Sequence, residues 1–361
     1  MAPPDAASAL QVEVQRASIA QLEQYATALY VGAGMDADKA ACVARLQVLT
    51  DAMGRRTHGL AMAPLYLAEI RSGGLRASGM PQVVRDNGTS AVWDGGYLPG
   101  PWLVAEAIET LIPRSRQTGI AAIAIRRSHH IGCLAALARQ ATDRGCVALI
   151  ANSDPAGQRV APYGGTEALF TPDPFAIGYP GASHPVLVDI CASITTTSMT
   201  RQKVAAGESF EHPWLLDADG RPTCDPSVLE HVTPRGSLQP IGGTENGHKG
   251  FGLALMVEAL SQGLSGHGRK DAPQRWGGNT YVQVIDPECF AGADAFAEQM
   301  DHLSERCRGN RPIDPARPVR MPGDQAARGI EAAQRDGIEV DAGTWQALRH
   351  CARDLGVAVP D

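Results

Sequence analysis

Two short apolar runs, residues 120–125 and 146–151, flank a segment of helical period at residues 133–142. Strands joined through a helix run in the same direction within one sheet, and a continuous apolar run marks a strand covered on both faces. That alternation places the chain in the α/β class. Further strands are predicted at residues 175–179, 186–190 and 280–285, separated by loops rich in proline and glycine. Such loops reverse the chain without a helix, so a mixed sheet is expected rather than a purely parallel one.

Residues 19–29 and 36–49 have the spacing of two amphipathic helices, with Asp36 placed to cap the second. Residues 59–71 resume the helical period, but Pro64 is tolerated only in a first turn, so this helix is predicted to start near Ala61. Thr57 and His58 then stand at its entrance. Residues 250–264 and most of the chain beyond Pro287 also read as helix. The 361 residues exceed what one core usually holds. We expect an N-terminal helical lobe at 1–75 carrying Thr57 and His58, a central mixed-sheet body at 76–320 for cofactor and substrate, and a C-terminal helical segment at 321–361 packing back on the lobe.

At 44% hydrophobic and 20% charged residues the chain can bury a sizeable core. Its net charge is −7 and it has no run of lysines and arginines, so nothing in it suits nucleic acid or an anionic membrane surface. No apolar run is long enough to span a bilayer, and Met1 to Leu10 lacks a basic segment followed by an apolar one. A cytoplasmic location is the expectation. The 8 cysteines (Cys42, Cys133, Cys146, Cys191, Cys224, Cys289, Cys307 and Cys351) include no C-x-x-C pair, so neither a metal centre nor a disulfide framework is expected.

The chain has no G-x-G-x-x-G after a strand, no G-x-x-x-x-G-K-[ST], no H-E-x-x-H and no G-x-S-x-G. What remains is a set of polar residues at the ends of apolar strands, where open sheets place their ligands. Ser128-His129-His130 follows the first run and precedes a helix, which favours neutral imidazoles able to move protons near neutral pH. A pair of ordinary loop histidines would look the same. Asn152-Ser153-Asp154 follows the second run, where loop capping is the common use. Asp189 lies inside an apolar strand, where a carboxylate is costly unless it meets a histidine, a cation or backbone donors. A His58/Asp189 pair would form a general acid/base with an orienting carboxylate, with Thr57 completing the relay; a structural hydrogen bond is the alternative. Gly242-Gly243-Thr244-Glu245-Asn246-Gly247-His248-Lys249-Gly250 opens the helix at 250–264. Its amides, the helix N-terminus and Lys249 suit a pyrophosphate, although many glycine-rich loops are only turns.

Taken in order, several segments resemble the malate/L-lactate dehydrogenase-like family. They are Thr57-His58-Gly59, Ser128-His129-His130-Ile131-Gly132, Ala161-Pro162-Tyr163-Gly164-Gly165, Leu187-Val188-Asp189, Leu216-Asp217-Ala218-Asp219-Gly220, Gly247-His248-Lys249-Gly250-Phe251-Gly252 and Val319-Arg320-Met321-Pro322-Gly323-Asp324. The resemblance covers nearly the whole chain. It implies the non-Rossmann L-sulfolactate dehydrogenase-like fold, α/β with a central mixed sheet and flanking helical lobes. It also implies hydride transfer between NAD or NADP and a small 2-oxo or 2-hydroxy acid, in a homodimer whose active site lies at the subunit interface. By position, it makes His58, Thr57, Asp189 and His130 catalytic, with Thr57 replacing the family serine. It places Asp154, Val188, Asp189, Ser193, Gly247, His248, Lys249, Pro322 and Gly323 on the cofactor, and Ser128 and His130 on the substrate. Which histidine moves the proton stays open, with His58 favoured.

The chain departs from the family pattern at several positions. Met53-Gly54-Arg55-Arg56 stands where members carry Arg-Gly-x-Asp/Glu, Met62 replaces an arginine, and Asp173-Pro174 replaces Asn-Pro. A thioether cannot clamp a carboxylate, so another cation is expected to hold the substrate's acid end, and Arg56 is preferred over Arg55 because it replaces an acid next to Thr57-His58. The departures leave two other readings open, a cyclic imino acid reductase acting on a pyrroline or piperideine carboxylate and a binding protein that has lost turnover.

Overall fold

The structure is a computed structural model that describes residues 15–230 and 232–360; the reading of Met1 to Leu10 lies outside them. Its centre is a seven-stranded sheet. In chain order the strands are β1 (Gln82–Asp86), β2 (Ser90–Asp94), β3 (Ile120–Ser128), β4 (Val147–Ser153), β5 (Pro174–Tyr179), β6 (Val186–Cys191) and β7 (Gly278–Ile285). In space their order is β1-β2-β3-β7-β4-β5-β6. Only β2 and β3 pair in parallel; the other neighbours are antiparallel. The sheet is therefore mixed, as expected. The predicted strand–helix–strand unit is present with one change: β3 and β4 point the same way but do not touch, because β7 lies between them. Val282 of β7 faces Ile123 on one side and Ile150 on the other, and all three are fully buried.

The helices longer than one turn are α1 (Ile19–Gly32), α2 (Ala37–Ala52), α3 (Ala63–Ser72), α4 (Gly100–Thr118), α5 (Leu134–Thr142), α6 (Thr197–Ala206), α7 (His248–Glu258), α8 (Ala293–Arg308), α9 (Asp324–Asp336) and α10 (Ala342–Leu355), and a single helical turn, Gly243–Asn246, precedes α7. Ser18 and Gln21 close a capping box on α1. Asp36 occupies the cap position of α2, but its carboxylate is used elsewhere, accepting from the Gly79 amide and pairing with the buried Lys39. The chain reaches α3 through two 3₁₀ turns, Arg56–His58 and Leu60–Met62, so α3 begins two residues later than Ala61, with Pro64 in its first turn. Helix α7 continues into a π turn at Ala259–Gly263 that packs on β3, β4 and β7.

Helix α4 is absent from the sequence-based expectation. It packs on β3 and β7 beside α5, and α2 contacts both. One apolar core runs through this assembly and on to α9 and α10, which lie against α2 and against α1 and α3 respectively. Val160, Phe170, Leu215, Leu238 and Ala254 form a second, smaller core with Phe251 of α7. The segment Leu216-Asp217-Ala218-Asp219-Gly220 is a turn in which the Asp217 carboxylate accepts the amides of Asp219 and Arg221.

Where α4 begins, it supports the loop after β3. A Cβ on Gly100 would stand 2.4 Å from the His129 carbonyl oxygen and 2.5 Å from that of His130. Both obstacles are backbone, so the helix or the loop would have to move. We predict that Gly100→Ala lowers the unfolding free energy in urea by about 1–3 kcal/mol, as overpacking of a closed contact does, and reduces activity through the displaced loop.

Candidate active site

The loop that leaves β3 carries His129 and His130. Ser128, expected to face the substrate, is instead fully buried and donates its hydroxyl to the His129 carbonyl at 2.7 Å, so it braces the turn. The His129 amide donates to Leu98 O, just before α4. His130 is pinned at Nδ1, which lies 2.8 Å from Tyr66 Oη and receives the Gly132 amide at 3.3 Å. An amide N–H can only donate, so Nδ1 is an acceptor and the ring proton sits on Nε2. Burial holds this imidazole well below its usual range, helped by the neighbouring His58 and His129.

His58 arrives from the other side, in the 3₁₀ turn. Its ring stacks on His130 with centroids 5.8 Å apart and planes 24° apart, and its Nδ1 is 2.8 Å from Thr57 Oγ1. Burial lowers its proton affinity, Asp189 raises it and Arg55 lowers it, with a net downward shift. The glycine of Thr57-His58-Gly59 has a steric reason: a Cβ there would fall 1.9 Å from Asp51 Oδ1, and Asp51 holds the turn by accepting the Leu60 amide. Burial pushes the Asp51 carboxyl up to about 7.

Trp276 and Tyr66 are partners that the sequence reading does not include, and Arg55, second there to Arg56 as an anchor, is the cation that Asp189 meets. Gly278 pairs with Ser128 and Asn279 with Ser153, so the entrance of β7 lies between the ends of β3 and β4 and brings Trp276 in with it. Trp276 stacks on His130 at 5.3 Å and meets His129 edge-on at 4.6 Å. A lone tryptophan before Gly277-Gly278 was the available signal. Asp154 caps the turn after β4 through the Ala156 amide, and burial raises its carboxyl to about 6 although the Gly277 amide lies within its reach.

Of the three partners open to Asp189, it takes two. Its Oδ2 accepts the Ala135 amide in the first turn of α5 at 3.0 Å and lies 3.6 Å from Arg55 Nη1. Its influence on His58 is through space, and the atom bonded to the His58 ring is Thr57 Oγ1. Arg56, the preferred substrate anchor, is turned away: its guanidinium lies 3.7 Å from Glu339, and it is half exposed. A 3₁₀ turn advances about 120° per residue, so Arg55 and His58 share a face and Arg56 does not.

The segments expected at the cofactor converge on β6. The Leu187 amide donates to Pro322 O, and Gly323 approaches so closely that a Cβ would sit 2.5 Å from Pro185 O. Val188 and Asp189 follow along the strand. Beyond it, Ser193 is buried and bridges to Pro240, and the Ile241 amide donates to Ala192 O. This seats the glycine-rich loop: a Cβ on Gly250 would meet Ile241 N at 2.3 Å and Ala192 O at 2.7 Å, and one on Gly247 would meet Gly243 O at 2.4 Å. His248 is exposed with its ring edge against Tyr163, and Lys249 is exposed. Among the described residues no cluster of three histidine, cysteine or acidic side chains is placed to hold a metal ion.

Comparison with known proteins fits this geometry. The family model described as malate/L-lactate dehydrogenase matches residues 17–349. The chain belongs to the malate/L-lactate dehydrogenase family. It is 30% identical over 354 residues to an L-lactate dehydrogenase of Cupriavidus necator, covering 95% of this chain and 99% of that one. It is 28% identical over 323 residues to an L-sulfolactate dehydrogenase of Methanothermobacter thermautotrophicus, covering 87% and 90%. The solved malate dehydrogenase of Entamoeba histolytica shares its fold, with a TM-score of 0.90 at 22% identity over 97% of this chain and 100% of that one. As a member of this family the chain is an oxidoreductase.

His129 gives a test of the site's packing. Neither ring nitrogen has a hydrogen-bond partner among the described residues, and Glu69 Oε2, 3.5 Å from Nε2, is too far for a good one. Burial, assisted by Arg275, lowers its pKa to about 3. The unfolded chain therefore binds this proton before the folded one does, and the fold loses stability as the pH falls through the window between 6.5 and about 3. We predict that His129→Phe folds, and that between pH 6.5 and 4.5 the wild type loses stability relative to it by on the order of 1 kcal/mol per pH unit in urea melts. Parallel pH profiles would show that His129 is charged in the fold.

Proposed function

We propose that this protein interconverts a small 2-hydroxy acid and the corresponding 2-oxo acid with NAD or NADP. The observation that carries the reading is the stacked pair His58 and His130, each engaged at Nδ1 and neither engaged at Nε2 among the described residues, beside a strand edge on which the glycine-rich loop is seated.

The residues present fit such a cofactor. The closeness of Gly247 and Gly250 to neighbouring backbone keeps those two positions bare at the start of α7, where a helix N-terminus favours phosphate, and Lys249 between them is exposed. Val188, Asp189, Ser193, Gly247, His248, Lys249, Pro322 and Gly323 would hold it along β6, with Asp154 at the end of β4, two strands away in the sheet. When bound, the nicotinamide supplies the acceptor or donor of hydride. The proton is handled by the chain. His130 carries its proton on Nε2 and so donates a hydrogen bond to the substrate oxygen. His58 is the base: with Nδ1–H donated to Thr57 Oγ1, the lone pair of Nε2 takes the hydroxyl proton during oxidation and returns it during reduction. Asp189 acts on His58 through space and keeps Arg55 in place.

We further propose that the working form is a homodimer with the active site at the subunit interface, in the cytoplasm. Leu255, Met256 and Leu264, on and just beyond α7, are exposed, and a second copy would cover them. No helix of the described residues is long and apolar enough to cross a membrane. The eight cysteines are unpaired, as reducing surroundings would keep them.

His58→Ala is expected to lower kcat by roughly 10²-fold or more with the fold intact; normal turnover would transfer the role to His130. Because burial keeps His58 below the ordinary value of 6.5, the oxidation rate should be flat above neutral pH and fall only in acid, below 6.5. An acid limb centred above pH 7 contradicts the assignment. Lys249→Ala is expected to raise the KM for the cofactor far more than that for the acid, and equal changes would make the loop structural. A fully active monomer in sedimentation would remove the shared site.

A further inference from the structure

Which charged groups of this chain reach the histidine pair bears on substrate choice. Met53 is buried in the main core and Met62 packs against it, so neither position supplies a charge. Arg55 is different. The His58 amide donates to Arg55 O at 3.1 Å, closing one 3₁₀ turn and putting the two side chains on one face. The Arg55 side chain is 42% exposed, and its one ionic partner among the described residues, Asp189 at 3.6 Å, is beyond good hydrogen-bond range. Its N–H groups are thus positioned yet available.

Other guanidiniums near the histidines are committed, except Arg56, which is as loosely paired as Arg55 but lies on the other face of the 3₁₀ turn. Arg275 donates to the carbonyls of Gly73 and Gly74 and lies 4.1 Å above the Tyr97 ring. Arg126 and Arg127 both pair with the buried Asp94. Arg56 lies against Glu339. The remaining surroundings of the histidine stack include the indole of Trp276, the hydroxyls of Tyr66 and Thr57, and imidazoles whose proton affinity burial lowers. A second anionic group on the substrate would find no free guanidinium of this chain near the histidines, at the cost of its hydration.

Resting on the proposed 2-oxo acid chemistry, we infer that Arg55 is the anchor for the substrate carboxylate, and that the site takes 2-oxo and 2-hydroxy monocarboxylates with an apolar substituent in preference to dicarboxylates or sulfonates. The carboxylate meets the guanidinium fork, the 2-oxygen meets His58 and His130, and the apolar substituent lies toward Trp276. Asp189 is a positioning residue for Arg55, itself fixed by the Ala135 amide. Because Asp189 offsets part of the Arg55 charge, the site matches one negative charge and disfavours two.

The test is steady-state kinetics of the full chain at saturating reduced cofactor, comparing 2-oxohexanoate with oxaloacetate and sulfopyruvate. The expected result is a kcat/KM for 2-oxohexanoate at least about 10-fold above either dianion, since an unpaired buried charge forfeits more than that. Arg55→Ala should lower kcat/KM for 2-oxohexanoate by roughly 10²-fold, mainly through KM, with cofactor KM and melting temperature unchanged. Added guanidinium ion should restore part of that loss, which a merely structural arginine would not show, and Arg55→Lys should recover less than the wild type because it lacks the fork. Preference for either dianion, or wild-type kinetics in Arg55→Ala, overturns the inference while leaving the 2-oxo acid reading in place. No turnover of any of the three by the wild type overturns the 2-oxo acid reading itself, and the inference with it.

Discussion

Strands β3 and β4 run in the same direction, are buried, and each presents an unsatisfied backbone edge to the other. Pairing them directly would have made a parallel doubly wound sheet. Instead β7, more than a hundred residues later in the chain, fills the gap and bonds to both edges antiparallel, with Val282 between Ile123 and Ile150. Buried backbone donors and acceptors have to be matched, so this insertion is a condition for the sheet to exist. It also determines the site. The segment entering β7 must pass between the ends of β3 and β4, and that passage brings Trp276 against the two histidines of the β3 loop. The neighbourhood of these histidines thus depends on a long-range strand pairing.

Around that junction charge is kept to the margin. The three imidazoles sit among aromatic rings and are held below their usual proton affinity by burial. A neutral ring can be assigned a definite tautomer, and the chain does so for His130 by aiming the Gly132 amide at Nδ1. The ionic pair, Arg55 with Asp189, stands one 3₁₀ turn from His58 on a half-exposed side chain, where water still screens it and the desolvation cost is moderate. Asp189 avoids the cost of a lone carboxylate in an apolar strand by accepting an amide from the start of α5. The edge strand β6 therefore serves two purposes: its middle orients the cation, and its ends receive the loops at Pro322-Gly323 and at Gly250.

What could be read in the sequence was what short-range pattern records. Apolar runs located β3 to β7, and ordered motifs identified the family. Helix α4 was hidden because Pro99, Pro101 and Pro113 break the pattern used to recognise helices; yet two of these lie at its start, where a missing N–H is harmless, and the third is tolerated inside a helix otherwise buried against the sheet. Strand β3 runs on past Ile125 through Arg126 and Arg127, whose charges are matched by Asp94 from the neighbouring strand, a partner visible only once β2 and β3 are paired. Ser128 stands in a segment of site candidates, but its hydroxyl is used by the adjacent carbonyl.

The choice between Arg55 and Arg56 shows most clearly where sequence reasoning stops. Both closely precede His58, and the family pattern favours the one that replaces an acid. The deciding variable is the number of residues per turn of a three-residue segment. In an extended chain Arg56 and His58 would lie on one face, whereas with three residues per turn the face belongs to Arg55 and His58. That turn is in turn held by Asp51, whose carboxylate accepts the Leu60 amide and leaves room only for hydrogen at Gly59. A residue outside the family motif thus decides which arginine meets the site, and the side chain that orients the substrate is determined by a carboxylate that never touches it.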